Sequence, residues 1–168
     1  ILNAKKNTAI LLNCEKLDSK FIKLEFKEYK LLLLDTNVKH NLANTEYNQR
    51  VNECKESIKI INRLCKKNYT NLSQVNRLDL SISKEKLGET LYKRVSYVLN
   101  ENKRVINSVE FLKNNKLKEF GQLMYESHFG LKNDYEVSSG SIMFFILILL
   151  LSVLLIKSIY QLYLYRTS

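Results

Sequence analysis

The chain contains no proline and only 4 glycines among its 168 residues. Average usage, about 5% and 7%, would supply roughly 8 and 12. Collagen-like, Pro-rich and Gly-rich linker architectures are therefore excluded, and no two glycines stand close enough to build a phosphate-cradling loop. Cysteine and histidine are also scarce. Cys14, Cys54 and Cys65 are odd in number and form no metal-type pair, which suits a reducing compartment. Cys54 and Cys65 fall on one expected helix, too far apart at about 1.5 Å rise per residue to form a bridge. His40 and His128 are too few and too isolated for a zinc site, and Cys–His catalysis finds no support.

What is present suffices for a folded domain. The length is that of one ordinary domain, and 45% of the residues are apolar, enough to bury a core. The net charge of +10 comes from 27 Lys and Arg against 17 Asp and Glu. The excess is mostly lysine, 21 Lys to 6 Arg, and 18 Asn accompany it, a pattern that AT-rich codons produce. No basic run exceeds a doublet, as at Lys5-Lys6 and Lys66-Lys67, and acids interleave elsewhere. Solvated helix faces account for this charge, and no nucleic-acid partner is expected.

Hydrophobic periodicity gives an α+β order, strands first and helices after. Thr8 to Asn13 is a short apolar run, followed by a polar turn over Glu15 to Lys20. From Phe21 to Phe26 the residues alternate, with Ile22, Leu24 and Phe26 on one side and Lys23 and Glu25 on the other. Lys30 to Asp35, with four consecutive leucines, reads as a strand buried on both faces. From Glu46 the period changes. Tyr47, Val51, Cys54, Ile58, Ile61 and Cys65 form an apolar helical stripe, capped by Asn44 or Thr45. After a polar stretch, Asn68 to Gln74, a long helix is expected to begin at Ser83 as N-cap. Leu87, Leu91, Val95, Val98, Val105, Val109 and Leu112 line its buried side. Asn114-Asn115 breaks it. A helix over Lys116 to Lys132 then returns antiparallel through Leu117, Phe120, Leu123, Met124 and Leu131.

The tail differs in material. Ile142 to Ile156 has no charge, and Ser139 to Tyr165 carries only Lys157. A spanning helix needs about 20 predominantly apolar residues. With tyrosines suited to an interfacial belt, residues 142–165 could contact a membrane as a hydrophobic C-terminal helix. The rival expectation is that the tail is frameshifted sequence, an AT-rich gene read out of frame.

One constellation says more. Residues 35–54, DTNVKHNLANTEYNQRVNEC, resemble the sugar-domain segment of galactokinases, in the GHMP family of small-molecule kinases. There a strand ends in T/S-N-x-V-[RK]-H, runs through x-L-A-x-[ST]-x-Y, and enters an Arg-containing helix that ends in Cys. Asn37, Val38, Lys39, His40, Leu42, Ala43, Tyr47, Arg50 and Cys54 fall on that pattern. Residues 119–138, EFGQLMYESHFGLKNDYEVS, are similar to the run F-G-x-L-M-x-x-S-H-x-S-L-[RK]-x-D-Y-x-V-S, with Gly130 where Ser is usual. The opening KKNTAILLNCEKLD also looks like the family's strand pair after the catalytic residue. Three collinear matches over about residues 1–138 make a specific signal.

The resemblance implies an internal piece of a longer enzyme. Residues 1–45 would end the N-terminal kinase domain, 46–138 the helical part of the C-terminal domain, and 139–168 the hydrophobic tail. The complete enzyme would transfer phosphate from ATP with Mg2+ to the anomeric hydroxyl of galactose or, in close relatives, N-acetylgalactosamine. Its catalytic aspartate is expected upstream of Ile1, and the chain alone is expected to be inactive. Asp35, Asp79 and Asp134 match no catalytic position; Asp35 reads as a turn residue and Asp134 as structural. By the resemblance Tyr47 contacts the sugar through its hydroxyl; by periodicity alone it heads the apolar stripe. Arg50 would support the site from behind, and His40 and His128 read as structural. The rival is a non-catalytic, tail-anchored or sugar-sensing protein built on a kinase remnant. The expected location is cytoplasmic, or membrane-associated if the tail is an anchor.

Overall fold

A computed structural model describes residues 5–26, 29 and 45–137, with the backbone alone at 45–47. The expected strand over Lys30 to Asp35, His40 and the tail over 139–168 lie outside the described residues. Strand β1, Thr8–Asn13, pairs antiparallel with β2, Asp18–Lys23, so that Thr8 faces Lys23 and Asn13 faces Asp18. The second strand thus starts earlier than the alternating run suggested. The reason is the turn: the Asn13 side-chain oxygen accepts from the Glu15 and Lys16 amides at 3.0 Å each, and Leu17 adopts a left-handed φ of 54°. The alternation itself holds, and it continues past the ladder. Ile22 is buried and Leu24 and Phe26 half-buried, while Phe21, Lys23 and Glu25 face outward.

The inner face of the hairpin covers the turn between the last two helices. Helix α1 is Thr45–Cys65, α2 Arg77–Ile82, α3 Lys84–Lys113 and α4 Leu117–Asn133. Ile22 packs with Leu112 and Leu117 in a small core, flanked by Ala9, Leu11, Leu24, Phe26, Val109 and Phe120. Between α3 and α4, Asn115 takes a φ of 53°, a conformation that asparagine tolerates better than most residues. The Lys116 amide then donates to the Phe111 carbonyl at 2.8 Å and closes the helix end. Ser127 reaches Glu101 across this hairpin at 2.7 Å, so α4 does run back along α3.

The main core joins α1, α2 and α3. Ile61 and Val95 are fully buried at its centre, surrounded by Leu72, Val75, Leu80 and Leu87. The stripe of α1 is rotated slightly from the one expected. Val51 is 39% exposed, and the buried positions are Arg50, Ser57 and Ile61, with Cys54 half-buried between them. Val105 and Met124, also expected inside, are exposed at 47% and 52%. Both line an open groove between α3 and α4.

The stretch from 68 to 83 is more ordered than its composition suggested. Asn71 caps a 3₁₀ turn at Leu72–Gln74, accepting from the Ser73 amide, and Asn76 caps α2 by accepting from the Asp79 amide at 2.8 Å. Helix α2 was missed because six residues are too few to display a period. Ser83 is buried but makes no side-chain cap bond to α3. Its backbone is helical (φ −86°, ψ −2°) because it continues directly from α2, its amide donating to the Asp79 carbonyl at 3.1 Å. The true break comes at Gly88, where φ 68° and ψ 177° kink α3, a backbone geometry that glycine alone adopts cheaply.

Candidate functional site

The first turns of α1 carry the residues singled out by the motif. Position 47 lies in the first turn, and helical spacing places it on the face that continues through Arg50, Cys54, Ser57 and Ile61. Arg50 is 5% exposed, a burial that a guanidinium tolerates only when paired. Its partner is Glu53, one turn on, to which it donates a short hydrogen bond. The Arg50 Nε is buried and finds no hydrogen-bond partner among the described residues.

Glu53 also accepts from a second guanidinium. Arg94 of α3, 2% exposed, donates from Nε to the same carboxylate oxygen at 3.2 Å. Its two terminal nitrogens reach the other way, one to the Asp134 carbonyl and one to the Glu136 carboxylate at 2.6 Å. One planar fork therefore ties α1, α3 and the segment after α4 together, a geometry arginine supplies and lysine does not. Glu136 is held with φ 55°, a left-handed backbone that costs a non-glycine residue roughly 1 kcal/mol. Removing Glu53 from beside the two buried guanidiniums is costly, on the order of 3–5 kcal/mol, because their charges are stranded.

The electrostatics follow from this arrangement. Burial pushes the Glu53 carboxyl up, but the Arg50 and Arg94 guanidiniums outweigh it and hold the group below its usual 4.5. Burial also works against the charge on Arg94, and Glu136 and Glu53 more than restore it. Glu136 is lowered in turn by its bond to Arg94. All three groups stay charged at neutral pH.

Behind the network lies an aromatic layer. Tyr135 stacks on Tyr97 with ring centroids 4.9 Å apart, and its hydroxyl lies 3.5 Å from the Cys54 sulfur. Gly130 makes room for it. A Cβ at that position would meet the Tyr97 ring at 2.8 and 2.9 Å, which explains why glycine stands where the matched motif usually carries serine.

The remaining candidates separate cleanly. Asp79 is 5% exposed and fully engaged: the Tyr69 hydroxyl donates to its carboxylate, Asn76 donates to it at 3.0 Å, and its amide donates to the Asn76 cap of α2. The hydrogen bond to Asp79, with burial, raises the Tyr69 phenol in return. Asp79 is a structural residue. Asp134 contributes its backbone carbonyl to Arg94. His128 packs edge-on against Phe129. Asp35 lies outside the described residues, as does the side chain of Tyr47. The three cysteines are free thiols. Among the described residues no group of acids, cysteines and histidines could hold a metal ion, and no glycine loop could cradle a triphosphate. The described residues thus do not fit ATP or Mg2+. Arg94 and Glu53 escaped the sequence reading: Arg94 lies 41 residues from Glu53 and 42 from Glu136, with no periodic signal to link them.

No family model matches the chain. Individual proteins do. The chain is 40% identical over 135 residues to a galactokinase of Thermosipho africanus, covering 80% of this chain and 36% of that protein. It is 36% identical over 135 residues to a galactokinase of Clostridium acetobutylicum, covering 80% and 34%. A galactokinase of Thermotoga maritima is 40% identical over 134 residues, again with 80% of this chain and 35% of the relative. In three dimensions the chain matches the galactokinase of Lactococcus lactis, solved in complex with galactose. The TM-score is 0.70 at 28% identity, over 80% of this chain and 34% of that one. By sequence and by fold the chain is similar to galactokinases, and it spans about a third of the length of those it matches.

Proposed function

We propose that this chain forms the sugar-facing part of an ATP-dependent galactokinase, which as a complete enzyme converts galactose to galactose 1-phosphate. The observation that carries the reading is 40% identity over 135 residues to a galactokinase, supported by the fold it shares with a galactokinase solved with galactose. In phosphoryl transfer a kinase works mainly by positioning and by electrostatic stabilisation. The part this chain plays is positioning. Tyr47, at the head of α1, contacts the sugar through its hydroxyl, and Arg50 braces that end of the helix from the buried side. ATP with Mg2+ supplies the transferred phosphoryl group and the charge neutralisation, held by residues other than those described here. A reducing, cytoplasmic setting is in keeping with the three free thiols. Among the described residues no helix is long and apolar enough to cross a membrane.

The test is a chimera in which the matched residues of this chain replace the corresponding segment of the Thermosipho africanus enzyme. The reading expects a folded chimera that forms galactose 1-phosphate from MgATP and galactose. A chimera that folds but neither binds galactose nor turns it over would refute it.

A further inference from the structure

We infer that Glu53 is a positioning residue for sugar recognition: by accepting from Arg94 of α3 it fixes the rotation of α1, and with it the placement of position 47. The inference rests on the galactokinase reading above. Its ground is geometric. A helix can slide or turn about its axis unless something other than smooth apolar contact pins it. On α1 the pin is polar: Glu53, paired with Arg50 within the helix, accepts from Arg94 of α3 at 3.2 Å. Position 47 is one turn before Arg50 on the same face, and Glu53 is one turn after it. The carboxylate therefore anchors α1 within two turns of the position proposed to contact the sugar.

The anchor at the other end is equally defined. Arg94 is almost fully buried on α3 and spends its remaining donors on the Asp134 carbonyl and Glu136. Glu53 thus connects the head of α1 to two further elements through directed, charge-assisted bonds.

The experiment uses the active chimera and three proteins: unmodified, Glu53→Gln and Glu136→Gln. Glu53→Gln should raise the KM for galactose about three- to tenfold, as expected when a charge-assisted bond is lost and its effect is partly transmitted. The KM for ATP should stay within twofold. Glu136 is the half-exposed end of the same network, with 55% of its side chain accessible, so its substitution spares the fold and should move the galactose KM in the same direction by less. An inactive unmodified chimera refutes the galactokinase reading itself, not this inference. With that chimera active, a galactose KM that stays unchanged in whichever variant remains folded overturns the inference, as does an equal rise for both substrates.

Discussion

Gly130→Ser restores the residue that the matched motif usually carries, and it should nonetheless destabilise this protein. The Tyr97 ring lies where the new side chain would go, its Cε2 and Cδ2 atoms 2.8 and 2.9 Å from the added Cβ. Tyr97 cannot easily yield. It is 6% exposed, stacked on Tyr135, and faced on its other flank by the Arg104 guanidinium 6.0 Å from its centroid. Overpacking of this kind costs about 1–3 kcal/mol. For a domain of this size that corresponds to a fall in Tm on the order of 2–12 °C. Thermal unfolding followed by circular dichroism measures it directly, and urea unfolding with an unchanged m-value would confirm that stability alone has moved. Tyr97→Leu removes the obstructing ring and supplies the control. Combined with Gly130→Ser, it should lose less than the sum of the two single changes, because the serine then has space. A Gly130→Ser protein that melts with the unsubstituted chain, or strictly additive losses in the double variant, would refute the packing argument.

Further outcomes follow from the same structure. Ile61→Ala empties the centre of the main core and should cost about 2–5 kcal/mol in urea unfolding. Asn76→Ala removes the cap of α2 and one donor to the buried Asp79, so a loss of about 1 kcal/mol or more is expected from the same assay. Glu53 gives a pH signature. Its folded pKa is below the usual 4.5, so its stabilising effect is present above that value and disappears as pH falls through the lower folded pKa. The stability gap between the unsubstituted chain and Glu53→Gln should therefore be widest near neutral pH and close in acid. Finally, the purified 168-residue chain with MgATP and galactose should form no galactose 1-phosphate above background, since its described residues include no phosphate cradle.

Much of this fold could be read from local pattern, because most elements are amphipathic and long enough to show it. The inward residues Ile22, Leu24 and Phe26, the break at Asn114-Asn115 and the returning helix α4 all follow from spacing and turn chemistry. The failures share a cause. Periodicity scores apolar residues, so it chose Val51 for the buried face of α1 and passed over Arg50, which is inside because Glu53 neutralises it. It could not find Arg94, whose partners come from α1 and from beyond α4. Ser83 looked like a helix cap because its residue type suits one, but a preceding helix too short to show a period already occupied its backbone. The motif around Tyr47 was legible as a resemblance rather than as physics. Spacing alone favours a core stripe for that tyrosine.

Tyr47→Phe in the active chimera tests the central claim most directly. It removes one hydroxyl and leaves the ring, so loss of a neutral hydrogen bond of about 0.5–1.5 kcal/mol should raise the galactose KM by a factor of roughly two to ten. The ATP KM and the Tm should hold. Unchanged galactose kinetics with a lowered Tm would place Tyr47 in the core instead and contradict the assignment of this face of α1 to the sugar.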